Sequence, residues 1–456
     1  MTDDLHTAVS RVLPGVRADL ESLVRIPSVS ADPDRLDEVR RSAAATAELF
    51  EAEGFDVQTV STGAGMPAVI ARKPAPEGQP TVLLYAHHDV QPEGDHDDWV
   101  TDPFEPTEGG GRLFGRGAAD DKAGIAAHLA AVRAYDGDLP IGVTVFVEGE
   151  EEVGSPTLTE LLAEHKDLLA CDAIVIADSA NWDIGTPALT TSLRGLADCV
   201  VELRTLSHAV HSGIWGGVAP DALTTLCRLL ATLHDDNGDV AVAGIASTDA
   251  AELDYPEDRL RAEVGILNGV QLLGSGSVVQ RLWTKPAVAV IALDATRVDK
   301  ASNTLAPAAR AKVSMRVPPG QDAGKALDRL EEHLVQHAPH GAQVTVTRGE
   351  TGEAYAVDAT GPTYDAARAA FTEAWDGTAP VDMGMGGSIP FIAAFAEIFP
   401  DAAILVTGVE DPDTRAHGAN EGLHLAEFER VCRAEALLLH RLVRPQLGSD
   451  PRAVRA

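Results

Sequence analysis

Four short apolar runs, Val82–Ala86, Val143–Val147, Ala173–Ala177 and Ala403–Val406, limit the folds open to this chain. Each is continuous rather than alternating, the pattern of a strand covered on both faces. Helical periodicity separates them. The spacing predicts helices over Asp4–Leu23, with an irregularity at Leu13-Pro14, over Asp34–Glu53, ending at Gly54, and over Ala123–Tyr135. Strands alternating with helices predict an α/β domain on a mainly parallel sheet with helices on both faces. At 456 residues the chain has length for two or three domains.

A different rhythm runs from about Leu193 to Glu350. Strands are expected at Cys199–Thr205, Val288–Leu293, Ala311–Val317 and Gln343–Thr347, and helices at Asp221–His234 and Asp322–Gln336. That order, βαββαβ, is the ferredoxin-like α+β unit. A polar, Gly-containing stretch, Asp235–Pro286, interrupts it. The first pattern resumes afterwards, so the expected organisation is a catalytic domain from residues 1–192 and 351–456. Residues 193–350 would form an inserted lid and dimerisation domain.

Charge excludes some partners. With 70 acidic against 36 basic residues, the formal net charge is −34. Such a surface repels phosphate backbones and anionic lipid, so neither nucleic acid nor membrane is an expected partner. Cys171, Cys199, Cys227 and Cys432 are far apart, which argues against a disulfide framework, a thiolate zinc site and a dithiol redox site. The first residues show no signal-peptide pattern, and no run of 18 apolar residues occurs. The expected location is cytoplasmic.

Chemistry-bearing residues follow the apolar runs: His87-His88-Asp89 after the first, Glu148-Gly149-Glu150-Glu151-Glu152 after the second, Asp178 after the third, and His417 beyond the fourth. Open α/β sheets bind ligands at the carboxyl ends of their strands. In His87-x-Asp89 the outer side chains share one side of an extended chain, so the carboxylate can orient the imidazole as a metal ligand. A surface loop is the plain alternative. Asp120 and Asp121, after Gly115-Arg116-Gly117, begin a helix either as ligands or as capping residues. The run Glu150–Glu152 is either an exposed acidic turn or a ligand beside a proton shuttle, its mutual repulsion offset by a cation. Together the His and carboxylate groups suit Zn²⁺, Mn²⁺ or Co²⁺.

Four strings carry a resemblance: His87-x-Asp89-Val90-Gln91-Pro92, Gly115-Arg116-Gly117-x-x-Asp120-Asp121-Lys122, Glu148-Gly149-x-Glu151-Glu152-x-Gly154-Ser155 and His211-Ser212-Gly213. They resemble the M20 metallopeptidases, and within these the carnosinase-type dipeptidases. The resemblance runs from Leu23-Val24-Arg25-Ile26-Pro27-Ser28 to His417. It implies two divalent ions per subunit, zinc above all, with manganese or cobalt as alternatives. His87 and Asp178 would hold one ion, Glu152 and His417 the other, and Asp120 would bridge them, ahead of a cis bond to Asp121. Glu151 matches the general acid/base and Asp89 the partner of the ligand histidine. His211 matches a histidine that reaches a neighbouring subunit's site, which implies a homodimer. Asn303, Arg316, Gly387 and Ser388 match substrate-contacting positions, Arg316 as the clamp on a free carboxylate. Two positions depart from the family pattern: Ala209 stands where Asp is frequent, and Gly384-Met385 where carnosinase-like members carry Arg-Glu.

The function expected from these residues is dipeptide or short-peptide hydrolysis through a water held by the two ions, with Glu151 moving its proton. The alternative is deacylation, by an N-acyl amino acid or N-succinyl-diaminopimelate amidohydrolase. A non-catalytic metal-bound binding protein is a remote third possibility.

Overall fold

The computed structural model describes residues 2–250, 253–386 and 390–444. The chain divides into two compact units. One comprises Met1–Thr191, Asp358–Met383 and Ala394–Ala456; the other comprises Ser192–Val357 and Gly384–Ala393. The short segment Gly384–Ala393 therefore belongs with the second unit, although sequence reasoning assigns it to the first.

In the first unit the sheet runs in the order Asp56–Val60, Ala68–Lys73, Gly142–Glu148, Thr81–His87, Ala173–Ile176, Ala403–Val406 and Ala188–Leu193. The four strands expected from the apolar runs lie side by side at its centre, all mutually parallel. Their residues are almost entirely buried, as continuous apolar runs require. The helix Lys122–Arg133 packs against the Thr81–His87 strand, and small residues let it bury nearly its whole circumference. Thr2–Val24 and Leu425–Arg441 pack against that helix in turn. Pro14 does not interrupt Thr2–Val24. A proline there forfeits a hydrogen bond to the carbonyl of Ser10, which lies on the exposed side of the helix where water can replace it.

Parallel strands send their carboxyl ends to one edge. His87 ends one strand and Glu148 its neighbour, with Glu151 and Glu152 in the 3-10 turn that follows. Asp178 lies just past Ala173–Ile176, and the loop to His417 leaves from Ala403–Val406. The two last-named strands stay in register beyond their ladder, through a bridge between Ala180 and Glu410. Gly408 makes this possible, because a Cβ there would fall 1.6 Å from the carbonyl oxygen of Ser179.

The second unit holds a four-stranded antiparallel sheet in the order Ala287–Asp294, Ala308–Val317, Gly195–Arg204 and Gln343–Gly352. The helices Ala222–Ala231 and Ala323–Gln336 bury one of its faces around Leu203, Leu226, Val313 and Leu330. Asp235–Pro286 contributes the short helices Glu257–Val264 and Val278–Trp283. Among the described residues, no helix is long and apolar enough to cross a membrane.

Gly408→Ala is expected to destabilise the protein by at least about 3 kcal/mol, because backbone rather than a movable side chain opposes the new methyl. Chemical denaturation checks this; an unchanged midpoint would show that the loops carrying Asp178 and Glu410 are not held in this register.

Candidate active site

Asp120 stands between two histidines. Its Oδ1 lies 3.2 Å from Nε2 of His87, and its Oδ2 lies 3.1 Å from Nε2 of His417. The same His417 nitrogen is 3.4 Å from Oε2 of Glu152. Two groups offer ligand atoms within 4.8 Å of one another: His87, Asp120 and Glu152, and His87, Glu151 and Asp178. The structure thus brings together all five residues of the expected ligand set, with Glu151 beside them. The Asp120–Asp121 peptide bond is cis. His417 and Asn420 adopt left-handed backbone conformations, φ 62° in each, which are unusual for residues other than glycine.

The supporting contacts explain the orientation of these groups. Nδ1 of His87 points at Asp89, 3.1 Å from its carbonyl oxygen and 3.4 Å from its carboxylate. The carboxylate of Asp89 also accepts from the backbone N–H of Glu152, at 3.1 Å. The four glutamates around that turn divide their labour. Glu148 accepts from the hydroxyls of Tyr85 (2.6 Å) and Ser155 (2.7 Å). Glu150 turns away to accept from the N–H of Met66 and the hydroxyl of Thr157. Glu151 and Glu152 face the centre.

Sequence reasoning missed Gln91 and Glu410. Gln91 donates to Glu152 from its backbone, at 2.9 Å, and from its side chain, at 2.7 Å. Its place two residues after Asp89 was the only signal. Glu410 is a further carboxyl group that burial and the charges of Asp120 and Asp178 push well above its ordinary pKa. His128 is structural: it bridges Glu435 (2.8 Å) and the carbonyl of Tyr85 (2.9 Å).

Burial raises the proton affinity of the acids and sets the electrostatics. Glu152 is pushed up to about 9 by burial and then by Asp120, and Asp178 up to about 6, chiefly by burial. Burial, followed by the charge of Asp178, holds Glu151 well above the carboxylate range. Burial alone would depress His87, but Asp120 and Asp89 overcome it and the net shift is upward. Bonding to Asp120 raises His417. So many carboxylates around two imidazoles make a site that a cation relieves, and the nitrogen and oxygen donors fit a borderline divalent metal.

The second unit carries the other expected site residues. His211 is exposed, and its Nδ1 accepts from the N–H of Gly213 at 3.0 Å. With Nδ1 accepting, Nε2 is the ring nitrogen that can donate. A short antiparallel pairing of His211 with Thr304 sets it beside Asn303, whose carbonyl accepts from the N–H of Ser212. Gly387 and Ser388 lie outside the described residues. Arg316 has an unforeseen companion in Arg194, which is 9% exposed and, among the described residues, donates only to the carbonyls of Gly386, Arg281 and Lys285. Burial, and then the charge of Arg316, lowers Arg194 to about 10. No carboxylate among the described residues pairs with either guanidinium.

His and carboxylate donors gathered at the carboxyl edge of a parallel sheet define a metallohydrolase. The model of peptidase family M20/M25/M40 matches residues 83–441, and the chain belongs to that family. It is 35% identical over 427 residues to a cysteinylglycine-S-conjugate dipeptidase of Corynebacterium striatum, covering 92% of this chain and 94% of the relative. It is 28% identical to the human Beta-Ala-His dipeptidase, over 87% of this chain and 83% of that one. Among solved structures, the Saccharomyces cerevisiae di-peptidase Dug1p superposes with a TM-score of 0.80, at 23% identity and 97% coverage of this chain and 98% of that chain. Human carnosine dipeptidase 1 superposes with a TM-score of 0.76, at 25% identity, 97% of this chain and 99% of that chain.

The pH dependence of stability has a definite sign. Glu152 and Asp178 sit above the ordinary carboxylate range near 4. The folded state therefore binds more protons than the unfolded chain between about pH 4 and those values, and stability falls as pH rises through them. The raised histidines act in the same direction, because their contribution is lost as pH rises through their folded values. Chelator-treated protein is expected to show a net loss of melting temperature between about pH 5 and 9, the raised carboxyls outweighing the opposite contributions of His88, lowered to about 4, and Lys122, lowered to about 7, and saturating zinc to flatten that slope. A level or rising profile after chelation would contradict the assigned electrostatics.

Proposed function

We propose that the protein is a metal-dependent dipeptidase, cleaving the amide bond of short peptides with a free carboxyl terminus. One observation carries this reading: each oxygen of Asp120 faces a different histidine, with Glu151 adjoining the same cluster. His87 and Asp178 would hold one ion, His417 and Glu152 the other, and Asp120 would contribute to both. When bound, such a pair polarises the scissile carbonyl and supplies a water ionised near neutral pH. Zinc suits the donors best, with manganese or cobalt as alternatives. Glu151 takes the proton from the attacking water and returns it to the leaving amine. Its raised proton affinity suits it to the second task, and cations nearby to the first.

The substrate class follows from the relatives' dipeptidase activities and from the second unit. A pair of guanidinium groups without a carboxylate partner among the described residues fits the carboxylate of a peptide's last residue, which Arg316 holds in bidentate fashion beside Arg194. Asn303, Gly387 and Ser388 are assigned to substrate contact. An N-acyl amino acid also ends in a carboxylate, so deacylation is the outcome that a substrate panel separates.

A homodimer completes the site, with His211 donating to the oxyanion in its partner. The Ala287–Asp294 strand supports this. It is an edge strand that exposes Val290, Ile291 and Leu293 at 44, 58 and 43%. Apolar, unpaired edges of this kind invite a second chain. The four cysteines are free, in keeping with a reducing cytoplasm.

Amine release from Cys-Gly, β-Ala-His and N-acyl amino acids, with zinc or manganese and with chelator, tests the assignment. Chelator-sensitive cleavage of dipeptides is expected; cleavage of acyl amino acids alone would move the protein to the deacylases. Glu151→Gln is expected to lower kcat by about 10²–10⁴-fold while both ions remain bound. Normal turnover in that variant would remove Glu151 from the mechanism.

His211→Ala is expected to be inactive alone, yet co-expression with Glu151→Gln should restore about a quarter of wild-type activity, because mixed dimers have one complete site. No recovery in purified mixed dimers would place His211 in its own subunit's site.

A further inference from the structure

A buried ion pair lies next to the ligand cluster and belongs to no part of the chemistry described so far. Arg116 is 1% exposed and Glu421 is fully buried. Nη1 of Arg116 donates to Oε2 of Glu421 at 2.7 Å. The same oxygen accepts from the backbone N–H of Gly117 at 3.1 Å. The other oxygen accepts from Ala119 at 2.9 Å and from Asp120 itself at 3.1 Å. Four donors thus converge on one carboxylate, two on each oxygen, which leaves it no role as a metal ligand or proton carrier.

Arg116 carries the connection further. Its Nη2 donates to the carbonyl of Gly418, the residue after His417, at 3.1 Å. It also reaches the carbonyl of Pro92, at 3.3 Å, at the end of the segment that contains His87, Asp89 and Gln91. Its guanidinium lies over the ring of Trp99, 5.5 Å from the centroid. Trp99 donates to the carbonyl of Glu93, so this stacking fastens the same segment a second time. One ion pair is therefore bonded to the three loops that deliver His87, Asp120 and His417.

Stability alone is a poor reason to bury such a pair. Desolvation of two charges roughly cancels their attraction, and well-packed apolar replacements are frequently as stable. What an apolar pair cannot supply is fixed direction: four donors aimed at one carboxylate and two carbonyls aimed at one guanidinium. The left-handed backbone of His417 and Asn420 adds a need for restraint, because such conformations persist only where surroundings enforce them.

We propose that Arg116 and Glu421 are positioning residues that set the distance and orientation between the two ion sites, Glu421 by aiming Asp120 and Arg116 by tying His417 to the segment of His87. This rests on the assignment of His87, Asp120 and His417 as ligands. The pair acts through these residues and touches neither ion nor substrate.

The test uses full-length protein stripped with chelator and titrated calorimetrically with zinc, alongside the melting temperature of the stripped protein. Glu421→Gln keeps the shape but leaves Arg116 without a counter-charge, so it is paired with the double variant Arg116→Met/Glu421→Gln, which removes both charges. The double variant is expected to melt close to the stripped wild type and yet to bind zinc about 10–100-fold more weakly, the usual cost of losing a group that orients ligands. Its kcat on a dipeptide should fall more than its KM rises, because water activation and not substrate binding is disturbed. Wild-type zinc affinity in the double variant would overturn the proposal. So would failure of both variants to fold, which would make the pair a requirement of the fold instead. A wild-type protein that binds no zinc would refute the ligand assignment itself, a result distinct from either.

Discussion

The structure is organised around electrostatic repulsion that its own residues only partly relieve. Asp120, Glu151, Glu152, Asp178 and Glu410 are brought to one sheet edge, with His87 and His417 as the nearest cationic counterweights. Proteins rarely concentrate buried carboxylates in this way, because each added charge raises the cost of ionising the next. A pair of divalent cations turns the same arrangement from a liability into a binding site. The fold follows from this need: parallel strands aim four separate chain segments at one place, and rigid strands hold them there better than loops would.

Legibility differed between the parts of the site for physical reasons. The central strands are continuous apolar runs, and a run with no alternation has few alternatives to a covered strand. His87, Glu151, Glu152 and Asp178 come within a few residues of those strands, so their convergence is set by strand direction. Gln91, Arg194 and the Arg116–Glu421 pair were not legible. Their contributions depend on hydrogen bonds between segments far apart in sequence, and neither periodicity nor spacing records such contacts. Arg194 shows the limit well. As a residue it is one arginine between a strand and a glycine; only burial without a carboxylate partner, beside Arg316, makes it a candidate anion site.

Pro14 illustrates the opposite error, a local signal that packing overrides. Val9, Val16 and Leu20 are fully buried along one face of the first helix, and that burial outweighs one missing hydrogen bond on the wet side. The second unit was legible for the same reason in reverse. Its strands Gly195–Arg204 and Ala308–Val317 alternate and its helices Ala222–Ala231 and Ala323–Gln336 are amphipathic, so one sheet face had to be covered. The edge strand Ala287–Asp294 is instead a continuous apolar run, and its exposure could be seen only once the helices were placed.

The candidate residues of the two units offer different kinds of force. Under the proposed assignment, the ligand residues of the first unit act on the amide, a group every peptide shares, and carry little information about side chains. The second unit offers two guanidinium groups and an exposed imidazole, which the proposed function assigns to a terminal carboxylate and a developing oxyanion. Neither set needs an apolar pocket of fixed shape. An anchor for a terminal charge selects first for a free carboxyl terminus and only then for side chain.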